Sequence, residues 1–341
     1  MANQQEKDAG VQVNRLTTFL AGMVIAMIAL LTLQHQEWFA GEPLFQLRSG
    51  TNRPAEPDAE LVSRGPSMPP VGAGSTLRIA SFNIQAFNNS KAAKPHVMDL
   101  LARIVREFDI VAVQEIRSRS DDLLPQLIEQ VNAAGRHYDY VIGPRQGRGP
   151  VRDQYAFLFD AATVEVDRTQ LYSVADPDDL LLREPLVAWF RARGPPPDEA
   201  FTFTLVNVHV DPEQVAAELV VLADVFRLVR DDGRGEDDVI LLGTFYADDR
   251  LLQSQGCLPG ITAAISALPT NTPSTEQRDN LLFDGRATDE FTGRSGVFDF
   301  LRQYNLSLQE ALEVSDHLPV WAEFSVYEGG QPGRVATRLT P

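Results

Sequence analysis

The sequence FTFTLVNVHV, residues 201–210, is a run of apolar and β-branched residues that closes on a histidine. A run of this composition predicts a β-strand. Its nearly continuous apolar character is typical of a strand that is covered on both faces. A helical pattern follows at once, with apolar residues at spacings of three and four: Val215, Leu219, Leu222, Phe226 and Val229.

Similar runs lie on both sides of this unit and predict further strands. They are LRIASFNI (77–84), DIVAVQEI (109–116), DYVIGP (139–144), QYAFLFD (154–160), LVAWFRA (186–192), DVILLGTFY (238–246), NLLFDG (280–285) and PVWAEFSV (319–326). Weaker helical periods cover 96–107 and 121–133. Many strands with interspersed helices predict layered sheets that are covered by helices, an α/β sandwich.

The composition limits the classes of partner. The chain has 341 residues, 44% of them hydrophobic, and a formal net charge of -17. No global positive field therefore draws it onto nucleic acid or anionic lipid, so a phosphate-binding surface must be a local patch. Cys257 is the only cysteine, which excludes an intramolecular disulfide framework and a cysteine-based zinc site.

The N-terminal region predicts a membrane anchor and a tether. No charge lies between Arg15 and Glu37, so residues 16–36 are long enough to form one transmembrane helix. Basic residues precede this segment, which predicts a short cytoplasmic tail at 1–15 and a folded domain outside, periplasmic or extracellular. A cleaved signal peptide and a buried core helix are the alternatives. Residues 37–75 are rich in proline and glycine and predict a linker, residues 76–327 the domain, and residues 328–341 a disordered tail.

Polar residues stand where the predicted strands end. They are Asn83, Glu115, Asp153, His209, Asp316 and His317. Each alone has a simple explanation, because a carboxylate at a strand end is usually a solvated turn residue and a lone histidine usually a hydrogen-bonded rim residue. Their order and context favour a shared site.

These segments, in this order, resemble the endonuclease/exonuclease/phosphatase family, and most closely its deoxyribonuclease I branch. The resemblance covers nearly all of 76–327. Its motifs are SFNIQAF (81–87), VAVQEIR (111–117), RDQYAFLF (152–159), REPLVAWF (183–190), LVNVHVDP (205–212), VILLGTFYAD (239–248), RDNLLF (278–283) and SDHLPV (315–320).

The resemblance implies a four-layer α/β/β/α sandwich with two central mixed β-sheets, whose strand ends form one acidic cleft. In such a cleft Glu115 and Asp316 would hold Mg²⁺ or Mn²⁺, with Asn83 nearby. The catalytic residues would be two histidines with their acids: His209 with Asp153, and His317 with Asp279. The chemistry is consistent, since hydrolysis of an anionic phosphodiester needs a cation, a base for water and an acid for the leaving oxygen. A histidine paired with a carboxylate is expected to have a raised pKa.

The resemblance also implies contacts with DNA and with a second ion. Arg183 would contact a phosphate, and Arg117 would face the minor groove. Arg145, Arg148 and Arg152 add positive charge on one loop, for which a solvated loop is the alternative. Asp176, Asp178, Asp179 and Glu184 lie where this branch binds a structural Ca²⁺, although acidic loops are also common without an ion.

One motif departs from the family. The family's strand-end signature is Gly-Asp-x-Asn, in which the acid orients the attacking water and the amide binds the phosphate, whereas this chain has Gly243-Thr244-Phe245-Tyr246. Thr244 cannot act as a base, and Tyr246 is large enough to fill part of the cleft. Asp153 is also one methylene shorter than the glutamate usual in this branch.

Three functions follow as hypotheses. The first is a metal-dependent phosphodiesterase, most simply an endonuclease that acts on DNA with low sequence specificity. The second, suggested by Thr244 and Tyr246, is a catalytically inactive member that binds DNA, a phosphorylated ligand or a protein. The third, suggested by the anchor, is a phosphatase or phosphodiesterase on lipid or inositol phosphates.

Overall fold

A computed structural model describes residues 74–148, 152–254 and 260–332 of the chain. Within these ranges no helix is both long and apolar enough to cross a membrane. The anchor predicted at 16–36 and almost all of the predicted linker lie outside them.

The described residues form two six-stranded sheets, each with parallel and antiparallel pairs. The first sheet has the order β11-β12-β1-β2-β4-β3 and the second β5-β6-β7-β8-β10-β9. The strands are β1 (Thr76–Phe87), β2 (Ile110–Ile116), β3 (Tyr138–Ile142), β4 (Gln154–Asp160), β5 (Val164–Ser173), β6 (Leu186–Ala192), β7 (Thr202–His209), β8 (Val239–Thr244), β9 (Ile261–Ala263), β10 (Asp279–Asp284), β11 (Phe291–Val297) and β12 (Val320–Ser325).

Helices cover the outer faces of both sheets. They are α1 (Asn89–Ala92), α2 (Pro95–Val105), α3 (Leu123–Asn132), α4 (Val215–Arg230), α5 (Asp249–Ser254), α6 (Phe300–Gln303) and α7 (Leu308–Val314). The predicted helical periods correspond to α2, α3 and α4. A short 3-10 helix at Glu328–Gly330 follows β12, so the ordered chain continues into the segment predicted to be a disordered tail.

Three buried apolar clusters separate the layers. Side chains alternate along β1, so that Phe82 faces the cluster under α2 and α3 while Ile79 faces the cluster between the sheets. The third cluster packs α4 onto the second sheet through residues such as Leu222 and Phe226. This arrangement of helix, sheet, sheet and helix agrees with the predicted α/β sandwich.

A polar contact crosses the apolar space between the sheets. Gln114 on β2 donates from Nε2 to Oδ1 of Asn207 on β7 at 2.7 Å. Asn207 donates in turn to the backbone oxygens of Val113 at 3.1 Å and Ala156 at 3.2 Å. Both amide side chains are fully buried. Buried amides with satisfied hydrogen bonds favour one arrangement of the surrounding core.

Candidate active site

One end of the sandwich collects the polar residues of the strand ends. β1 runs parallel to β2, and β7 parallel to β8, so the carboxyl ends of each pair lie together. The antiparallel strands β4, β10 and β12 begin at this same end. The residues brought there are Asn83, Glu115, Asp153, Arg183, His209, Thr244, Tyr246, Asp279, Asp316 and His317.

A cleft of about 490 Å³ opens at this end. Glu115, Arg117, Tyr246, Asp316 and His317 all line it. Glu115 enters the cleft through an irregularity in β2, where the pairing register shifts between Val113 and Ile116 and Glu115 has a φ of +63°. Such bulges re-aim side chains next to active sites.

His317 has a complete carboxylate partner. Its Nδ1 lies 3.0 and 2.9 Å from the two carboxylate oxygens of Asp279. Asp279 also accepts hydrogen bonds from the hydroxyls of Thr244 and Thr270, each at 2.8 Å. Burial lowers the pKa of His317, but the charge and hydrogen bond of Asp279 and the charge of Asp316 outweigh it, so the pKa is raised. The structure thus brings His317 and Asp279 together.

His209 lacks the hydrogen bond predicted with Asp153. Its Nδ1 lies 3.8 Å from Asp153 Oδ2 and has no hydrogen-bond partner. The Asp153 oxygens instead accept from Nε of Arg117 and Nε of Arg183, each at 2.6 Å. The shorter side chain of aspartate stops short of the imidazole, and two arginines occupy its oxygens.

The expectation of a raised pKa was therefore wrong for His209. Burial, followed by the positive charges of Arg183, His317 and Arg117, holds its pKa well below the usual range. The two histidines consequently differ at neutral pH, where His209 is neutral and His317 carries more of the protonated form. Two titratable groups whose pKa values are pushed apart suit the roles of base and acid.

Glu115 and Asp316 fit a magnesium-type ion. Both line the open cleft, and the charges of both act on Lys91 and Tyr246. No three acid or histidine ligands lie within reach of one ion here among the described residues. Mg²⁺ is commonly held by one or two carboxylates and completes its shell with water and substrate phosphate oxygens.

Asn83 positions Glu115, a predicted metal ligand, and does not direct its own side-chain oxygen into the cleft. Its Oδ1 accepts from the amide of Gln85 at 2.9 Å, which fixes the orientation of the side chain. Its Nδ2 then donates to Glu115 Oε1 at 3.2 Å and to the Thr244 hydroxyl at 3.3 Å. The metal role predicted for Asn83 is therefore indirect.

Thr244 and Tyr246 take different places. Thr244 is fully buried and links Asn83 to Asp279, so it does not face a substrate as predicted. Tyr246 lies between the histidines, with ring centroids 6.0 Å from His209 and 6.2 Å from His317. Its hydroxyl lies 3.4 Å from His209 Nε2. Burial, followed by the charge of Glu115, raises the pKa of Tyr246, so the phenol stays protonated beside this nitrogen.

The arginines predicted to bind substrate already have acidic partners. Arg117 pairs with Glu115 Oε2 at 3.1 Å as well as with Asp153, and its side chain is 30% exposed. Arg183 is 12% exposed and is held by Asp153. On the basic loop, Arg145 pairs with Asp121 at 2.5 Å.

The predicted calcium loop lines a second cavity of about 330 Å³. Asp176, Asp179 and Glu184 all face it. Asp176 accepts from the amide of Leu181 at 2.7 Å, and Asp179 is held by Arg148 at 3.1 Å. Among the described residues these three do not form a group within reach of one ion.

Sequence reasoning missed Lys91, Thr270 and Arg278. The ammonium of Lys91 donates to the backbone oxygens of Ile84 and Val314, each at 2.9 Å, and also to that of Gln85. Burial lowers its pKa to about 8 although Glu115 and Asp316 oppose the shift. Arg278 lies 5.9 Å from the Tyr246 ring. Lys91 belongs to no predicted strand, so only the fold shows that it lines the cleft.

Comparisons with known proteins identify the family of the chain. The endonuclease/exonuclease/phosphatase family model matches residues 80–317. Deoxyribonuclease gamma of Rattus norvegicus is 33% identical over 262 residues, which cover 72% of this chain and 83% of that protein. Deoxyribonuclease-1-like 1 of Bos taurus is 32% identical over 283 residues, covering 77% and 86%.

Solved structures agree on the fold. The structure of D. rerio TDP2 complexed with single strand DNA product has a TM-score of 0.52 at 15% identity, and the match covers 74% of this chain and 100% of that chain. The chain therefore belongs to the endonuclease/exonuclease/phosphatase family. Within it, the chain is a deoxyribonuclease I-like hydrolase of phosphodiester bonds.

Proposed function

We propose that this protein cleaves DNA with low sequence specificity and uses one divalent ion, Mg²⁺ or Mn²⁺. The observation that carries the proposal is the convergence of two buried histidines at one end of the sandwich, His317 in an acidic cleft with Glu115 and Asp316 and His209 3.6 Å from Glu115. The pKa of His209 is lowered and that of His317 is raised, which suits a base and an acid. Low specificity follows because phosphate contacts carry no base information.

The two histidines divide the proton transfers. The lowered pKa of His209 favours a neutral imidazole, and its Nε2, which lies 3.4 Å from the Tyr246 hydroxyl, would take a proton from the attacking water once the phenol moves aside. The Nδ1 of His317 is held by Asp279, which leaves its Nε2 to donate a proton to the leaving oxygen. An ion held by Glu115 and Asp316 would supply positive charge against the charge that develops on the phosphate oxygens.

A plasmid-nicking assay tests this function. The full-length chain is expected to nick supercoiled plasmid in Mg²⁺ or Mn²⁺ and to stop when EDTA is added. His209→Ala and Glu115→Ala are expected to lose about 10²- to 10⁴-fold in rate. Asp231→Asn is the matched control, since Asp231 is an exposed acid paired with Arg230. Equal rates in wild type and both site variants would overturn the proposal, and faster cleavage of phospholipid or inositol phosphate in parallel would reassign the substrate.

We further propose that Tyr246 makes the enzyme slow. Its phenol occupies the space between the histidines and covers His209 Nε2. Thr244→Asp with Tyr246→Asn restores the family's acid and amide and is expected to raise the nicking rate about 100-fold. Tyr246→Asn alone separates the opening of the cleft from the added acid. A double variant no faster than wild type would show that these residues do not limit the reaction.

We propose that residues 16–36 anchor the domain to a membrane with the catalytic end outside. The support is the uncharged stretch between Arg15 and Glu37 and the basic residues before it. Protease added to cells from which any outer membrane has been removed is expected to digest the domain while the inner membrane is intact. A domain that becomes accessible only after lysis of that membrane would contradict this topology.

A further inference from the structure

A second group of carboxylates lies at the end of the sandwich opposite to the catalytic cleft. Asp238 directly precedes β8, Glu290 precedes β11, and Glu328 begins the 3-10 helix after β12. One carboxylate oxygen from each lies within 4.8 Å of the others. Because β8 belongs to one sheet and β11 and β12 to the other, the group bridges the two sheets.

Several oxygens of this group are buried and lack partners. Asp238 and Glu290 are each 2% exposed. Oδ1 of Asp238, Oε2 of Glu290 and the hydroxyl of Thr288 have no hydrogen-bond partner of normal geometry. The Thr288 hydroxyl nevertheless faces Asp238 closely enough to lower the pKa of that carboxyl. Leaving such buried groups unpaired costs about 1 to 3 kcal/mol each, so they indicate a missing partner.

No basic side chain supplies that partner. Within the described ranges, the groups that shift the pKa values of Asp238, Glu290 and Glu328 most strongly include no lysine, arginine or histidine. The charges that act most strongly on Asp238 are those of Glu290 and Glu236. Burial and these acids raise the pKa of Asp238, and burial with the charge of Asp289 raises that of Glu290. Burial with the charge of Glu290 raises the pKa of Glu328 to about 7. The group must therefore share protons or bind a cation.

We propose that Asp238, Glu290 and Glu328 bind one Ca²⁺, with the Thr288 hydroxyl as a further ligand. Oxygens that lie about 2.3 to 2.6 Å from one ion are separated by up to roughly 5 Å, which the 4.8 Å grouping satisfies. Ca²⁺ accepts oxygen ligands in a flexible geometry, whereas Mg²⁺ needs a near-ideal octahedron and keeps several waters, so Ca²⁺ is favoured at a group of protein oxygens. This site is distinct from the loop with Asp176, Asp179 and Glu184, and from the ion of the catalytic cleft.

The ion would join the two sheets. It would replace repulsion between carboxylates of different sheets by attraction to a common cation. Binding to the folded state alone raises stability in proportion to the logarithm of ion concentration over the dissociation constant.

Terbium luminescence gives a local test, because Trp189 lies beside the site. Its Nε1 donates to Glu236 Oε2 at 2.9 Å, and Glu236 Oε1 accepts from the amide of Asp238 at 3.1 Å. Tb³⁺ added to the full-length chain is expected to emit on excitation of tryptophan, and Ca²⁺ is expected to quench this emission by competition. Glu290→Gln and Trp189→Phe should each reduce the emission at least fivefold, whereas Asp231→Asn should leave it unchanged.

Thermal unfolding gives a second measurement. Ca²⁺ is expected to raise Tm by about 5 °C or more relative to EDTA, and Glu290→Gln and Asp238→Asn are expected to abolish the shift. A Tm that is insensitive to Ca²⁺, or a shift that survives in both variants, would overturn the proposal, as would terbium emission that persists in Trp189→Phe. Neither measurement depends on nuclease activity, so a failure here is separate from a failure of the proposed function.

Discussion

The two histidines of the active site differ in their hydrogen bonds and in the direction of their pKa shifts. His317 is hydrogen-bonded to both oxygens of its acid, whereas His209 stands 3.8 Å from its acid with Nδ1 unpartnered. The pKa of the first is raised and that of the second is lowered. The partners of each carboxylate account for the difference, because hydroxyls surround Asp279 and arginines hold Asp153. A carboxylate near a histidine is therefore not enough to set its protonation state.

The largest expected effect comes from Asp279→Asn. The change removes the charge that raises the pKa of His317, so the nicking rate should fall about 10²- to 10⁴-fold at neutral pH. The fall in rate at high pH, which reports loss of the His317 proton, should also move to lower pH. A pH–rate profile on plasmid measures both effects. Unchanged activity would show that His317, paired with Asp279, is not the general acid of the reaction.

Asp153→Glu should give His209 a carboxylate partner like the one that His317 has in Asp279. The added methylene lets the carboxylate reach Nδ1, and a hydrogen bond to a charged group contributes about 1.5 to 3 kcal/mol. We expect the pKa of His209 to rise, so that the fall in rate at low pH moves to higher pH, with about a tenfold change in rate. Titration of the imidazole by NMR checks the direction. A His209 pKa that stays low would mean that the arginines, and not the length of the acid, decide it.

Thr244→Val tests the hydrogen bonds by which Thr244 joins Asn83 to Asp279. The hydroxyl donates to Asp279 and accepts from Asn83, and both bonds are lost in a side chain of the same shape. We expect the free energy of unfolding to fall by about 1 to 2 kcal/mol, measured by urea denaturation. Thr270→Val should cost more, because the Thr270 hydroxyl donates to Asp279 and also accepts from the amides of Arg278 and Asp279. A loss below about 0.5 kcal/mol in Thr244→Val would show that the bonds to Asn83 and Asp279 contribute little.

Tyr246→Phe should produce the smallest change. It removes the hydrogen bond to His209 Nε2 and keeps the ring, and a bond of about 1 kcal/mol corresponds to roughly a fivefold faster rate. Nicking at saturating plasmid measures it. A slower variant would contradict the inhibitory role of the phenol and make the hydroxyl part of the catalytic apparatus.

The central strands could be predicted from the sequence, and three of the four edge strands of the described sheets could not. β5, β9 and β11 lie at sheet edges, where one side has no neighbouring strand. β11 reads FTGRSGV and is half-exposed along most of its length. Edge strands carry polar residues and glycine that limit pairing with other chains, so they lack the apolar runs by which buried strands are recognised.

The location of the site in the fold could be predicted more readily than the contacts between its side chains. The resemblance to the family placed Glu115, His209 and Asp279 in one cleft, and the structure brings all three to one end of the sandwich. The competition for Asp153 could not be foreseen, because Arg117 and Arg183 approach it from separate segments, and their reach depends on side-chain packing.

The amide contact between Gln114 and Asn207 has a consequence for the cleft. Gln114 immediately precedes Glu115, and Asn207 lies two residues before His209. Apolar surfaces alone tolerate sliding, whereas a directional bond at 2.7 Å does not. The hydrogen bond between Gln114 and Asn207, inside the hydrophobic core, therefore fixes the spacing between Glu115 of one sheet and His209 of the other. A shift of one sheet relative to the other would misalign Glu115 and His209 before it unfolded the protein.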